Sequence, residues 1–181
     1  MKKTLILSVA LALAGVSNAA LAADGAAGFI RADIGQSNLD GDGLDENYTS
    51  TSFGGGYWFN RNFAIEGRIG VLANEQLADD IDVDLVHWDL GAVAKKNFGA
   101  DGNGFYINGR AGVSRLTLQV REDDFDVIDD ESSIKPYVGV GIGYDFNDNW
   151  GLGLGYDVRR ADLDGVDIDV DTISVGGEWR F

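Results

Sequence analysis

From residue 28 to the C-terminus, apolar side chains occupy every second position in segment after segment, and the positions between them hold glycine or full charges. A period of two is that of a β-strand whose faces meet different surroundings. In 63–72, Phe63, Ile65, Ile69 and Val71 share one face, and Ala64, Glu66, Arg68 and Gly70 the other. Pro136–Phe146, Trp150–Arg159 and Thr172–Phe181 repeat the pattern, as do Gly28–Ser37, Thr49–Asn60, Val83–Lys95 and Phe105–Leu118. These make eight strands. A soluble sandwich also alternates, but its inner faces pack large apolar side chains. Here the polar face carries Arg31, Asp33, Glu66, Arg68, Asp89, Arg110, Asp145, Asp157, Arg159, Glu178 and Arg180. The arrangement suits a barrel in lipid, apolar outside, with glycines and paired charges in a narrow lumen. Closure follows, because unpaired backbone groups in hydrocarbon cost several kcal/mol each. The fold class is all-β: an eight-stranded antiparallel up-and-down transmembrane β-barrel.

The connections alternate between short and long. Asn60-Arg61-Asn62 and Asn147-Asp148-Asn149 read as tight turns and 96–104 as a longer one, while four longer acidic connections hold most of the 30 acidic residues. Aromatics near the short turns, Tyr57, Trp58, Phe59, Phe63, Phe98, Phe105, Phe146, Trp150, Trp179 and Phe181, read as an interfacial girdle. Short turns face the periplasm in such barrels, which sends the acidic loops outside.

The N-terminus is of another kind. Lys2 and Lys3 precede an apolar stretch from Leu5 to Val16, and Ala20-Leu21-Ala22 offers small residues for cleavage. Residues 1–22 read as a cleaved signal peptide, with a cut after Ala23 as the alternative, and 23–181 as the barrel domain. The apolar run is shorter than the about 20 residues of a membrane-spanning helix. With no cysteine, no disulfide scaffold exists. A net charge of −16, more negative once Lys2 and Lys3 are lost, excludes nucleic acid as a partner.

The segments 54–60 (Gly-Gly-Gly-Tyr-Trp-Phe-Asn), 135–144 (Lys-Pro-Tyr-Val-Gly-Val-Gly-Ile-Gly-Tyr) and 178–181 (Glu-Trp-Arg-Phe) resemble the OmpA-like and OmpX-like family of eight-stranded outer-membrane barrels. The resemblance spans nearly all of 23–181. It implies a Gram-negative outer-membrane location and a porin-like shape. It also implies lipid and lipopolysaccharide as surroundings, and barrel assembly machinery and periplasmic chaperones as partners in biogenesis. Trp179 and terminal Phe181 match the family's assembly signal. The OmpA periplasmic peptidoglycan-binding domain has no counterpart here, so wall tethering by that route is not implied. A monomer without cofactor is expected.

In the narrow lumen of eight strands, charges must pair, because an isolated buried ion is very costly. The eleven charges named above are expected to form a salt-bridge network. His87 is the sole histidine. Any catalytic dyad that needs a histidine must therefore use it, for instance with Ser114 as nucleophile, and it shares a strand face with Asp89. An outer-membrane deacylase would show His-x-Ser where this chain has His-x-Asp, and no catalytic residue is assigned. The stretch 40–46 resembles a calcium loop only in part, since Leu44 takes a ligand position. Asp40, Asp42, Asp45, Asp123, Asp124 and Asp126 are weak candidates for divalent cations shared with lipopolysaccharide phosphates. The expected function is a non-enzymatic barrel that supports the envelope or displays acidic loops. A lipid A-modifying hydrolase using His87 and a narrow low-conductance pore are the alternatives.

Overall fold

The computed structural model describes residues 26–41, 44–78, 81–99, 102–122, 126–163 and 166–181. Eight strands, β1 Ala27–Gly41, β2 Leu44–Trp58, β3 Phe63–Ala78, β4 Ile81–Asn97, β5 Gly104–Glu122, β6 Asp126–Asp145, β7 Trp150–Leu163 and β8 Val166–Arg180, follow one another around a closed barrel. Every neighbouring pair is antiparallel. The seam closes where the Phe181 N–H donates to the Gly28 carbonyl at 2.9 Å and the Gly28 N–H returns the bond at 3.1 Å. At the short turns, Asn60 Oδ1 accepts from the Asn62 and Phe63 amides, and Asn147 Oδ1 from those of Asn149 and Trp150.

A tilted strand needs about 9–11 residues to cross a bilayer. These strands run from 14 residues in β7 to 20 in β6. The excess lies at the end opposite the short turns, so the expected long acidic connections are mostly strand: β1 and β2 pair out to Gly41↔Leu44, β5 and β6 to Glu122↔Asp126, and β7 and β8 to Leu163↔Val166. Acid density reads as loop, yet these segments still alternate. Val166, Ile168 and Val170 are interleaved with Asp167, Asp169 and Asp171, and that period keeps the ladder going.

The polarity of the alternation reverses along the strand. In the membrane band of β8, Ile173, Val175 and Trp179 are exposed, while Thr172, Ser174 and Glu178 are buried. Farther out on the same inward parity, Val170 is buried and Ile168 packs with it, while Asp169 is exposed. The projecting end, here called the head, is therefore built like a soluble protein. Its core is Leu72, Ala73, Leu85, Leu116, Ala161 and Val170, with Leu39, Tyr48, Leu118 and Ile168 packed against it.

The head is also split. Among the described residues, β2 and β3 pair only below Thr51↔Val71, and β6 and β7 only below Tyr137↔Arg159. Beyond those points β7-β8-β1-β2 form one four-stranded sheet and β3-β4-β5-β6 another, and the apolar core lies between them. A register shift between Val71 and Ala73 falls where β3 leaves β2, as a bulge would bend it. Pro136, the only proline, stands just past the last β6–β7 pair, where a missing N–H costs no ladder bond. Across that slot the Asp162 amide donates to Ser133 Oγ at 3.1 Å.

On the lipid-facing band, Phe59, Phe63, Phe98, Phe105, Phe146, Trp150 and Trp179 are exposed near the short turns. Trp58 departs from that girdle. It shares inward parity with Gly54 and Gly56 and is buried against Phe29 inside the barrel, ring centroids 5.8 Å apart. Phe29, Trp58, Ala64 and Val93 form a second apolar cluster at the short-turn end.

Candidate functional site

Inward positions share one parity on each strand, so charges from seven strands meet along the barrel axis in layers. Nearest the short turns, Lys95 Nζ donates to Asp145 Oδ2 at 2.9 Å, and Asn97 Nδ2 donates to the same oxygen at 3.0 Å. Arg180 binds the other Asp145 oxygen and donates through Nε to Glu178 Oε1 at 2.6 Å. That Glu178 oxygen also accepts from Trp58 Nε1 at 3.2 Å. The Lys95 ammonium lies 4.5 Å from the Trp58 ring and 5.0 Å from the Tyr106 ring, within cation–π range. A pocket of about 240 Å3 opens at this mouth beside Trp58, Arg61, Lys95, Arg180 and Phe181.

The middle layer is the densest. Arg68 is a fork, donating through Nη1 to Asp157 Oδ2 at 2.9 Å and through Nη2 to Asp89 Oδ2 at 3.0 Å. Arg159 Nη2 donates to the same Asp89 oxygen at 2.8 Å and lies 3.5 Å from Asp157 Oδ2. Glu66 lies 3.2 Å from Arg68 Nε, and Arg110 Nε lies 3.6 Å from Asp157 Oδ1. Arg31 Nε reaches both oxygens of Asp33, at 2.9 and 3.0 Å. Tyr137 places its ring 5.5 Å from the Arg68 guanidinium and 5.6 Å from that of Arg159. It crosses the lumen to Gly91, where a Cβ would stand 2.5 Å from the tyrosine oxygen. Glycine at 91 makes room for that crossing.

Within the ion network the charges balance, and buried Asp84 of β4 stands beyond His87 toward the head. Arg31, Arg68, Lys95, Arg110, Arg159 and Arg180 face Asp33, Glu66, Asp89, Asp145, Asp157 and Glu178. Desolvating each ion is expensive, and the network offsets that cost because nearly every carboxylate meets a guanidinium or ammonium with charge-assisted geometry. The eleven inward charges read from the sequence fall into three groups: Arg31 with Asp33; Arg68, Arg110 and Arg159 with Glu66, Asp89 and Asp157; and Arg180 with Asp145 and Glu178. Lys95 was not among them. It follows Val93 and Gly91 on inward parity, but as half of Lys95-Lys96 at a strand end it reads as part of a turn.

Above the ions come His87 and a belt of hydroxyls. His87 is 1 % exposed, with Nδ1 3.2 Å from Asp89 Oδ1. Ser37 and Thr172 hydroxyls are 2.9 Å apart. A cavity of about 10 Å3, room for one water, lies between His87, Asp157, Arg159 and the hydroxyls of Ser50, Ser52, Thr172 and Ser174. Ser114 is fully buried, across from Asp89 in the β4–β5 register, while His87 is across from Leu116 of the head core. His87 therefore sits where the ionic lumen meets the apolar cap. It faces the axis, away from the lipid boundary where a lipid-modifying nucleophile would have to act.

The candidate cation ligands divide. Asp42, Asp123 and Asp124 lie outside the described residues, as do the side chains of Asp45 and Asp126. Asp40 is exposed, and its register partners are Asp45 on β2 and Asp169 on β8. Among the described residues no group of three metal-ligating side chains converges. Asp169 is also engaged by Arg160 at 3.0 Å.

The sequence matches the outer membrane protein beta-barrel domain over residues 8–181. No curated protein matches it. Among solved structures, neisserial surface protein A is 18 % identical with a TM-score of 0.69, over 87 % of this chain and 100 % of that one. Ail, the attachment invasion locus protein of Yersinia pestis, is 18 % identical with a TM-score of 0.62, over 88 % and 100 %. The N-terminal barrel of Pseudomonas aeruginosa OprF is 14 % identical with a TM-score of 0.58, over 84 % and 97 %. Identities this low speak to the fold alone. The family match does more: covering the inverted, charge-filled barrel almost from end to end, it shows that the chain belongs to the outer membrane protein beta-barrel domain family.

Proposed function

We propose that this protein is a non-conducting, non-enzymatic outer-membrane barrel that presents a rigid acidic head at the cell surface. One observation carries the reading: the lumen is occupied by a charge-balanced ion network and stoppered by an apolar core between the two head sheets. A path for solutes would have to cross both. The polarity of the head supports its being outside, since its strands keep apolar residues inward and expose Asp40, Asp162 and Asp169. Residues 1–22 fit the signal peptide that would export the chain, and the Trp179–Phe181 terminus fits an assembly signal.

Two features bear on partners. Ail has been solved in complex with the heparin analogue sucrose octasulfate. An acidic head repels such a polyanion, so cationic partners, or divalent ions shared with lipopolysaccharide phosphates, fit this chain better. Asp40, Asp45 and Asp169 are register partners across three strands, a concentration of acidic positions that cations would screen, and Arg160 already engages Asp169 at 3.0 Å. The test is an epitope inserted between Glu122 and Asp126. Antibody should bind it on intact cells, and binding only after the outer membrane is broken would put the head on the wrong side.

A further inference from the structure

We propose that His87 is an acid-triggered release for the ionic strap that ties the two head sheets together, a device that rests on the closed head described above. Among the described residues the ladder above the membrane band is interrupted between β2 and β3 and between β6 and β7, so the two sheets are held by the apolar core, by side chains at its foot and, across the β6–β7 slot, by Asp162 with Ser133 and Lys135. At that foot Arg159, from β7 of one sheet, binds Asp89, from β4 of the other, at 2.8 Å. Arg68, from β3, binds Asp157 on β7 at 2.9 Å, a second tie of the same sense.

His87 competes for the first tie. It stands two residues from Asp89 on the same strand face, with Nδ1 3.2 Å from Oδ1, the oxygen that also accepts from Arg159 Nε at 3.4 Å, while Arg68 and Arg159 Nη2 share Oδ2. From β3 it faces Arg68; from β7, Arg159 and Asp157; β1 contributes Asp33 to the same cavity, and β2 and β8 contribute hydroxyls. From β5 come Ser114, opposite Asp89, and Leu116, opposite His87 itself. Gly70 on β3 leaves room for the ring, since a Cβ there would stand 2.7 Å from Nε2. With the imidazole neutral, the charges of the ion network cancel. A proton on it adds a positive charge beside the network, where Asp89 is the acceptor at hand, 3.2 Å away, while buried Asp84 stands three residues farther along β4. As Asp89 turns to the imidazolium, Arg159 loses its closest partner and the strap loosens. The 10 Å3 cavity beside the ring offers water a place from which a proton could arrive.

The experiment uses the refolded chain in lipid nanodiscs. The protein has no cysteine of its own. Spin labels at Thr49→Cys on β2 and Ser132→Cys on β6, both exposed, report the distance between sheets. Between about pH 7.5 and about pH 4, a range wide enough to charge an imidazole held away from water, the separation should lengthen or broaden by roughly one strand spacing, about 5 Å. His87→Asn and, as a second folded control, His87→Gln should hold the short distance at both values. Asp89→Asn should give the long distance at both. No lengthening in the parent, the same lengthening in both His87 variants, or a short distance in Asp89→Asn would each overturn the proposal. Surface exposure of the head is measured separately by antibody, so failure there leaves these outcomes readable.

Discussion

Removing Asp157 puts the charge-balanced lumen under the sharpest strain. Its carboxylate accepts from Arg68 at 2.9 Å and lies 3.5 Å from Arg159 and 3.6 Å from Arg110, and all four side chains are at most 2 % exposed. Asp157→Ala leaves the network with six cations against five carboxylates, and among the described residues Arg110 loses the only carboxylate within 4 Å of it. Breaking a buried pair by deleting one partner costs about 3–5 kcal/mol, because the surviving charge stays desolvated. Two further arginines lose part of their coordination, so the upper half of that range is expected. Asp157→Asn keeps the volume and should cost nearly as much, which assigns the loss to charge. Restoring the balance with Asp157→Asn/Arg110→Met should recover a substantial share of it, because residues in one network couple by about 0.5–3 kcal/mol. The assay is urea unfolding in lipid vesicles, followed by tryptophan fluorescence and by gel mobility before and after heating. A loss of under about 1 kcal/mol for Asp157→Ala, or a double variant no better than the single one, would refute the claim that charge pairing holds the lumen.

The same assay extends to other parts of the molecule. Glu66→Ala leaves Arg68 with two carboxylates rather than three and should destabilise by less than Asp157→Ala does; equal or greater loss would mean the network is weighted differently. Leu116→Ala opens a hole in the head core, where Leu116 is fully buried, and should cost about 2–5 kcal/mol. Faster hydrogen exchange should appear in the head amides but not in the membrane band, and uniform change along the strands would contradict a separate head core. Gly91→Val should displace Tyr137 and lower stability, a result checked against Tyr137→Phe, which keeps the ring. Millimolar Ca2+ should raise the unfolding midpoint relative to chelator, and superimposed curves would remove divalent bridging of the acidic head.

Period-two alternation made the architecture legible, because each of the eight strands carries it through the membrane band. Toward the head, composition and parity point in different directions. Val166-Asp167-Ile168-Asp169-Val170-Asp171 looks like an acidic loop by content, yet it alternates as faithfully as Ile173–Trp179. Its acids merely fall on the opposite parity, as a strand that has left the lipid requires. Trp58 sits between Tyr57 and Phe59 in an aromatic run that reads as girdle, yet it shares the parity of Gly54 and Gly56 and is buried on the inward face. Asp145, Asp157 and Arg159 were legible as inward charges because each lies among glycines on a strand of clean alternation. Which arginine meets which carboxylate was not legible, since pairing across the lumen depends on stagger between strands far apart in sequence, as with Arg68 and Asp157. The split of the head into two sheets was equally hidden, apart from the isolated Pro136 at one of its slots.

Conductance of the purified protein in a planar bilayer tests the account most directly. With the ion network in place and the head core closed, the protein should show no steady steps above the bare-lipid baseline at neutral pH. Regular, ohmic channel openings from correctly folded, heat-modifiable protein would mean that the lumen is an open path, and would contradict the account.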